Sequence, residues 1–175
     1  KESDPVSPIG VYGKTKREGE LAVISSEIDA IIIRTSWLYS SYGNNFVKTM
    51  LRMGSEIETL DIIFDQVGTP TYARDLAKTC LEILCGDSSE DISKNGNLYH
   101  YSNEGVASWY DFAISIMELA GLNCKVNPIQ TKDYPTLAKR PHYSVLNKSK
   151  IKTDFKIEIR YWRDSLKDCI EKIKN

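Results

Sequence analysis

Histidine is scarce in this sequence, with only His100 and His142 among 175 residues. The four cysteines, Cys80, Cys85, Cys124 and Cys169, fall at no spacing that a zinc site uses. No metal site is expected, and a disulfide framework does not suit a chain this long, so the cysteines read as buried or half-buried free thiols. Long apolar runs are missing too. No stretch approaches the ~18 consecutive apolar residues of a membrane-spanning helix, and no signal peptide starts at Lys1. Basic blocks are also absent: 23 lysines and arginines face 24 acidic residues, for a net charge of −1. That balance gives no electrostatic support to a nucleic-acid or anionic-membrane partner. Repeats and low-complexity segments are lacking. The expectation is a soluble, cytoplasmic protein with no nucleic acid and no membrane among its partners.

What is present suits a globular domain, since 41% hydrophobic residues supply enough material for a core. The length fits one domain, or one domain with a fragment of another. Residues 1–8, KESDPVSP, hold two prolines and read as irregular. Over 11–25, Val11, Thr15, Gly19, Ala22 and Val23 recur at helical spacing. The β-branched run AIIIRT (30–35) shows no alternation, as in a parallel strand covered on both faces. A helix followed by a buried strand is half of a βαβ repeat, and the strand that should precede this helix is expected upstream of Lys1.

The same reading continues along the chain. Asn44 or Asn45 caps a helix reaching about residue 53, with Phe46, Val47, Met50 and Leu51 as its apolar stripe and Gly54 closing it. Residues 59–64 make a strand and 65–71 a turn-rich loop. A helix over 72–84 places Leu76, Cys80, Leu81 and Leu84 on one face. Residues 87–97 form a polar surface loop, and 98–101 a strand. Ser108, with Asp111 as a capping-box partner, starts a helix over 109–120, where Trp109 joins Phe112, Ala113, Ile116 and Met117 on the buried stripe. Residues 126–129 make another strand and 133–147 are irregular. The last helix, 161–174, is buried through Trp162, Leu166, Ile170 and Ile173, with charges of alternating sign facing solvent. The fold class is α/β.

Tyr12 and Lys16 are the sharpest chemical feature. Four positions apart on a helix, they project from one face with Cβ atoms about 5–6 Å apart. An ammonium there favours the phenolate over the phenol, which suits a general acid in ketone reduction. Tyr-x-x-x-Lys alone is a weak pattern, and structurally the ring could pack on a neighbour while Lys16 pairs with Glu20.

Context favours chemistry. The run from Pro8 to Glu20, PIGVYGKTKREGE, resembles the active-site helix of extended short-chain dehydrogenases. RTSWLYSSYGNNFVKTML (34–51), DQVGTPTYARDLA (65–77), YHYSNEGVASWYDFA (99–113) and DYPTLAKRPHYSVLN (133–147) resemble, in order, the dTDP-4-dehydrorhamnose reductases. The resemblance implies a reductase that moves hydride from NADPH or NADH to the C4 ketone of dTDP-4-dehydro-6-deoxy-L-mannose, giving dTDP-L-rhamnose for surface polysaccharide. Tyr12 matches the family's proton donor, and Lys16 the lysine that assists it and holds the coenzyme ribose. Trp37 matches the tryptophan against the sugar nucleotide. Asn45, Thr69, Thr71 and Arg140 lie in loops that face substrate, with Arg140 able to pair with a diphosphate or to form a structural salt bridge. Asp65, Gln66 and Gly68 shape a turn, while Trp109 and Trp162 belong to the core.

The resemblance also divides the chain. Residues 1–40 would be the end of a Rossmann-type coenzyme domain, and 41–175 mainly the smaller α/β substrate lobe, with returns to the Rossmann sheet. The family's glycine-rich phosphate loop, and the Ser or Thr completing the catalytic set, are expected upstream of Lys1, so the fragment alone should be inactive. Mg²⁺ and a homodimer are further family features. Two other readings stay open: a non-catalytic reductase-like regulatory subunit, such as that of methionine adenosyltransferase, and an epimerase or reductase for another dTDP-deoxysugar.

Overall fold

The computed structural model describes residues 1–26, 28–86, 98–134 and 140–174. Helix α1 (Val11–Ile24) leads to β1 (Ile32–Arg34) and β2 (Leu38–Tyr39), then α2 (Phe46–Glu56) and β3 (Thr59–Ile63). Strands β4 (Val67–Gly68) and β5 (Thr71–Tyr72) precede α3 (Ala73–Cys85). Next come β6 (Leu98–His100), β7 (Ala107–Ser108), α4 (Trp109–Ala120), β8 (Lys125–Ile129), α5 (Ser149–Phe155) and α6 (Trp162–Lys174). The expected polar loop at 87–97 lies outside the described residues.

Strands pair at long range. β1 runs parallel to β6, β2 to β5 and β3 to β8, while β4 and β7 are antiparallel. Parallel partners need crossover connections, and the helices supply them. The α/β expectation holds.

Two cores result. In the larger, α2, α4 and α6 bury Val47, Met50, Phe112, Ile116, Leu166 and Ile170 beside Leu60 of β3. Ser108 accepts from the backbone N–H of Asp111 while the Asp111 carboxylate accepts from that of Ser108, so the capping box forms with Asp in place of Glu. The smaller core gathers Ile83, Tyr99, Tyr101, Ile151 and Ile157, with Ile31 and Ile33 packed against them. Asn103 ties the layers together. Its Oδ1 accepts from the Tyr72 backbone N–H at 2.8 Å, and its Nδ2 donates to Asp75 Oδ2 at 2.8 Å and Ser165 Oγ at 3.0 Å. Its carbonyl accepts from Lys148 Nζ at 3.0 Å. The buried side-chain amide thereby joins β5, α3 and α6, and the backbone carbonyl of the same residue holds the segment before α5.

Several expectations need correction. The buried face of α3 carries Thr79 and Ile83, and Leu81 and Leu84 stay exposed at 62% and 69%, because the smaller core meets the helix along 76-79-83 rather than along the richest leucine stripe. Gly54 does not close α2. It sits inside the helix against Met117, whose Sδ would lie only 2.5 Å from an added Cβ. Helix α5 arises where no helix was expected, and buries Ile151 completely. The turn-rich loop contains β4 and β5. Cys85 is exposed, whereas Cys124 and Cys169 are buried.

Helix α1 buries none of its residues, so its periodicity marks a face that nothing among the described residues covers. An ion pair holds it to β1: Glu20 accepts from Arg34 Nε at 2.6 Å and Nη2 at 2.7 Å, and from Arg17 at 3.0 Å. The Arg34 hydrogen bond is the main reason the Glu20 carboxyl is held below its ordinary value of 4.5, burial opposing it. A lowered folded value means the tether contributes fully above the unfolded carboxyl range and is lost as pH falls through the folded value. Protection of α1 amides, corrected for intrinsic exchange, should therefore drop as pH falls below the ordinary carboxyl range while α4 stays protected. Equal retention in both helices would contradict the tether.

Candidate functional site

Two cavities adjoin on one side of the larger core. The smaller, about 310 Å³, is lined by Ser36, Trp37, Gln66, Trp109, Arg140, Pro141 and Ser144. The larger, about 430 Å³, lies between α2 and β3 along Phe46, Met50, Met53 and Ile62, with Tyr134 at its rim. Gln66, Trp109 and Arg140 line both. An apolar slot with a few convergent polar groups is the usual form of a small-molecule site.

Local structure explains each wall. Trp37 immediately precedes β2 and takes a positive φ of 47°, a strained conformation for a bulky residue. It is fixed on both sides: the Trp37 carbonyl accepts from Thr71 N–H at 3.1 Å, and the Ser36 hydroxyl donates to the Thr69 carbonyl at 3.0 Å. Gly68 makes room for the indole, since an added Cβ would sit 2.6 Å from Trp37 Cε2 and from Ser144 Oγ. The Trp37 ring stacks on Trp109 with centroids 3.6 Å apart and planes 8° from parallel, and Phe46 leans on Trp109 at 4.7 Å.

The Arg140 segment is anchored to the turn after β3. Asp65 accepts from the Thr131 backbone at 2.9 Å and hydroxyl at 2.7 Å, and the Gln66 amide donates to that hydroxyl at 3.1 Å. The Thr131 hydroxyl bond is the main cause that holds the Asp65 carboxyl below its usual range. Further on, Val67 N–H donates to the His142 carbonyl at 2.8 Å, and Ser144 N–H to that of Val67 at 2.9 Å.

The structure thus brings together Trp37 and Arg140. Asn45, Thr69 and Thr71 line neither cavity. Asn45 caps α2 through the Lys48 N–H and donates to the Ser40 carbonyl; Thr69 is fully buried and donates to the Gly105 carbonyl; Thr71 is fully buried behind Trp37. Trp109 was expected in the core, and Gln66 in a turn, yet both face the cavities. The helical stripe around Trp109 hid its role, because the first residue of an inserted helix can reach past the core edge. Trp162 is core, as expected.

Tyr12 and Lys16, on α1, line neither cavity. Tyr12 is 77% exposed, and Lys16 Nζ sits 5.4 Å from its ring centroid. Glu20 is taken by Arg34 and Arg17, so the alternative pairing of Lys16 with Glu20 does not form. Among the described residues no group of three His, Cys, Asp or Glu side chains could hold a metal ion. No described helix is long and apolar enough to cross a membrane.

UDP-glucuronic acid 4-epimerase from Bacillus cereus shares the fold at a TM-score of 0.75 and 19% identity. The chain belongs to the RmlD substrate binding domain family, whose model matches residues 1–175. The dTDP-4-dehydrorhamnose reductase of Aggregatibacter actinomycetemcomitans is 43% identical over 96% of this chain and 59% of its own length. The crystal structure of the ortholog from Clostridium acetobutylicum superposes at a TM-score of 0.88 with 41% identity, over 99% of this chain and 59% of that one. The Bacillus anthracis reductase in complex with NADP gives 0.87 at 34% identity, over 98% and 58%. This chain therefore spans somewhat under two thirds of the length of these relatives.

Proposed function

We propose that the chain is the sugar-nucleotide-binding part of a cytoplasmic dTDP-4-dehydrorhamnose reductase, converting dTDP-4-dehydro-6-deoxy-L-mannose to dTDP-L-rhamnose. The carrying observation is the Tyr12–Lys16 pair: one turn apart on α1, unused by the fold, in a chain whose relatives of that name match it from end to end. A scaffold needs neither side chain there.

The cavities fit a nucleotide sugar laid across them. The deoxysugar rests against Trp37, whose indole offers apolar area and an N–H donor. The base and deoxyribose lie in the larger slot beside Phe46 and Met50. Arg140, on the wall common to both cavities, meets the diphosphate between them, where its planar fork matches phosphate oxygens. Residues 1–40 then stand on the coenzyme side and 41–175 mainly on the substrate side. The β1–β6 pair, with its own small core, would be the return to the coenzyme-domain sheet.

Tyr12 gives its phenolic proton to the C4 oxygen as that carbon is reduced. The Lys16 ammonium stabilises the phenolate left behind and offers donors to a ribose; among the described residues it makes no ion pair, so its donors are available for that contact. NADPH, when bound, supplies the hydride, and its pyrophosphate would be held by the part of the relatives' length that this chain does not span. The test is NADPH and NADH oxidation with dTDP-4-dehydro-6-deoxy-L-mannose, using a protein that carries this chain at its relatives' length. Turnover supports the reading. Binding of the dTDP-sugar without turnover would instead place the protein among non-catalytic binding subunits.

A further inference from the structure

We infer that Trp109 is a positioning residue, whose indole sets the orientation of Trp37 and thereby the grip on the sugar; the inference rests on the functional reading above. Three observations converge on it. Trp37 carries a strained backbone, φ 47°, which surrounding contacts must hold. The backbone of Gly68 packs so close to its indole that no Cβ would fit, and the parallel face of Trp109 lies against it at 3.6 Å. Trp109 is the first residue of α4, directly after the Ser108 capping box, and Phe46 packs against it at 4.7 Å, so its own ring is well fixed.

The stacked pair stands where the two cavities meet, since Trp109 lines both. A ligand crossing from one cavity to the other passes the pair. Removing the Trp109 ring frees Trp37 to leave the stack and relax its backbone. A Phe at 109 keeps a flat face for Trp37 and so keeps the orientation.

The experiment is a double-mutant cycle on this chain, reading the affinity for dTDP-L-rhamnose by calorimetry in the wild type, Trp37→Ala, Trp109→Ala and the double variant. Trp109→Ala should weaken binding about tenfold, and the double variant should bind about as weakly as Trp37→Ala alone, because both changes remove one device. Trp109→Phe should stay within about threefold of wild type, which keeps the test decisive if the alanine variant folds poorly. Near-ultraviolet circular dichroism supplies a ligand-free readout: the signal of two coupled indoles should vanish in Trp109→Phe and Trp37→Phe alike. Losses that add independently, or Trp109→Ala binding as wild type does, would overturn the role of Trp109 and leave the functional reading standing. A wild-type chain that binds no dTDP-sugar would overturn both.

Discussion

Tyr12→Phe should lower turnover by about 10²–10⁴-fold in the relatives-length protein, the range that loss of a positioned proton donor produces. Affinity for the dTDP-sugar should stay within about threefold, since Trp37 and Arg140 are untouched. The variant is well suited to the question because Tyr12 is 77% exposed and lies on a helix with no buried residue. Folding stability of this chain should shift by less than about 0.5 kcal/mol, and a melting curve of the longer variant shows that a lost activity is not unfolding. Kinetics with saturating coenzyme separate the cases: kcat falls and the KM for the sugar nucleotide holds. Undiminished kcat would remove Tyr12 from the chemistry.

The second large effect concerns stability. Asn103→Leu keeps the volume but strips the buried side-chain hub that joins β5, α3 and α6, leaving the backbone bond to Lys148 in place. The Tyr72 N–H loses its acceptor, and the Asp75 carboxylate loses a donor while staying half-buried next to Ser165. Unpaired buried polar groups cost about 1–3 kcal/mol each, more when charged, so a loss of about 3–4 kcal/mol is expected. For a chain of this size that is a fall of about 10 °C in Tm, or a large part of a marginal total. Thermal unfolding measures it, and a shift below about 2 °C would show that the network is not the tie described here.

Element existence was legible where side-chain periodicity and local chemistry agreed. Ser108 with Asp111 marked the start of α4, and the pair Asn44 and Asn45 that of α2, where Asn45 is the cap, because caps are read within four residues. The unalternating isoleucines before Arg34 announced a parallel strand, and β1 pairs that way. Facing was harder. Leu81 and Leu84 have the hydrophobicity of a core, but which stripe of α3 is buried depends on where β6 and α5 lie, and no local signal carries that. Gly54 reads as a helix stop by propensity; the approach of Met117, 63 positions on, makes it an interior close contact.

The site was legible by resemblance more than by pattern. Trp37 and Arg140 do share a cavity, whereas Asn45 and Thr69, singled out as loop polar residues, hydrogen-bond within the fold, and Thr71 is buried with its hydroxyl unpartnered among the described residues. Small hydroxyls and amides beside a strand turn satisfy backbone groups as readily as they meet ligands. Trp109 was read as core for the opposite reason. It continues the apolar stripe of α4, and only its stacking with Trp37, 72 positions earlier, gives it a place in the cavity wall.

The most direct test of the account is a titration of the ¹⁵N-labelled chain with dTDP-L-rhamnose, following the indole N–H signals of its three tryptophans. Trp37 and Trp109 line the cavities, and Trp162 is buried in the larger core as an internal control. The account predicts saturable shifts of the Trp37 and Trp109 signals, and of Arg140, with Trp162 unmoved. Shifts confined to other surfaces, or none at millimolar ligand, would contradict it.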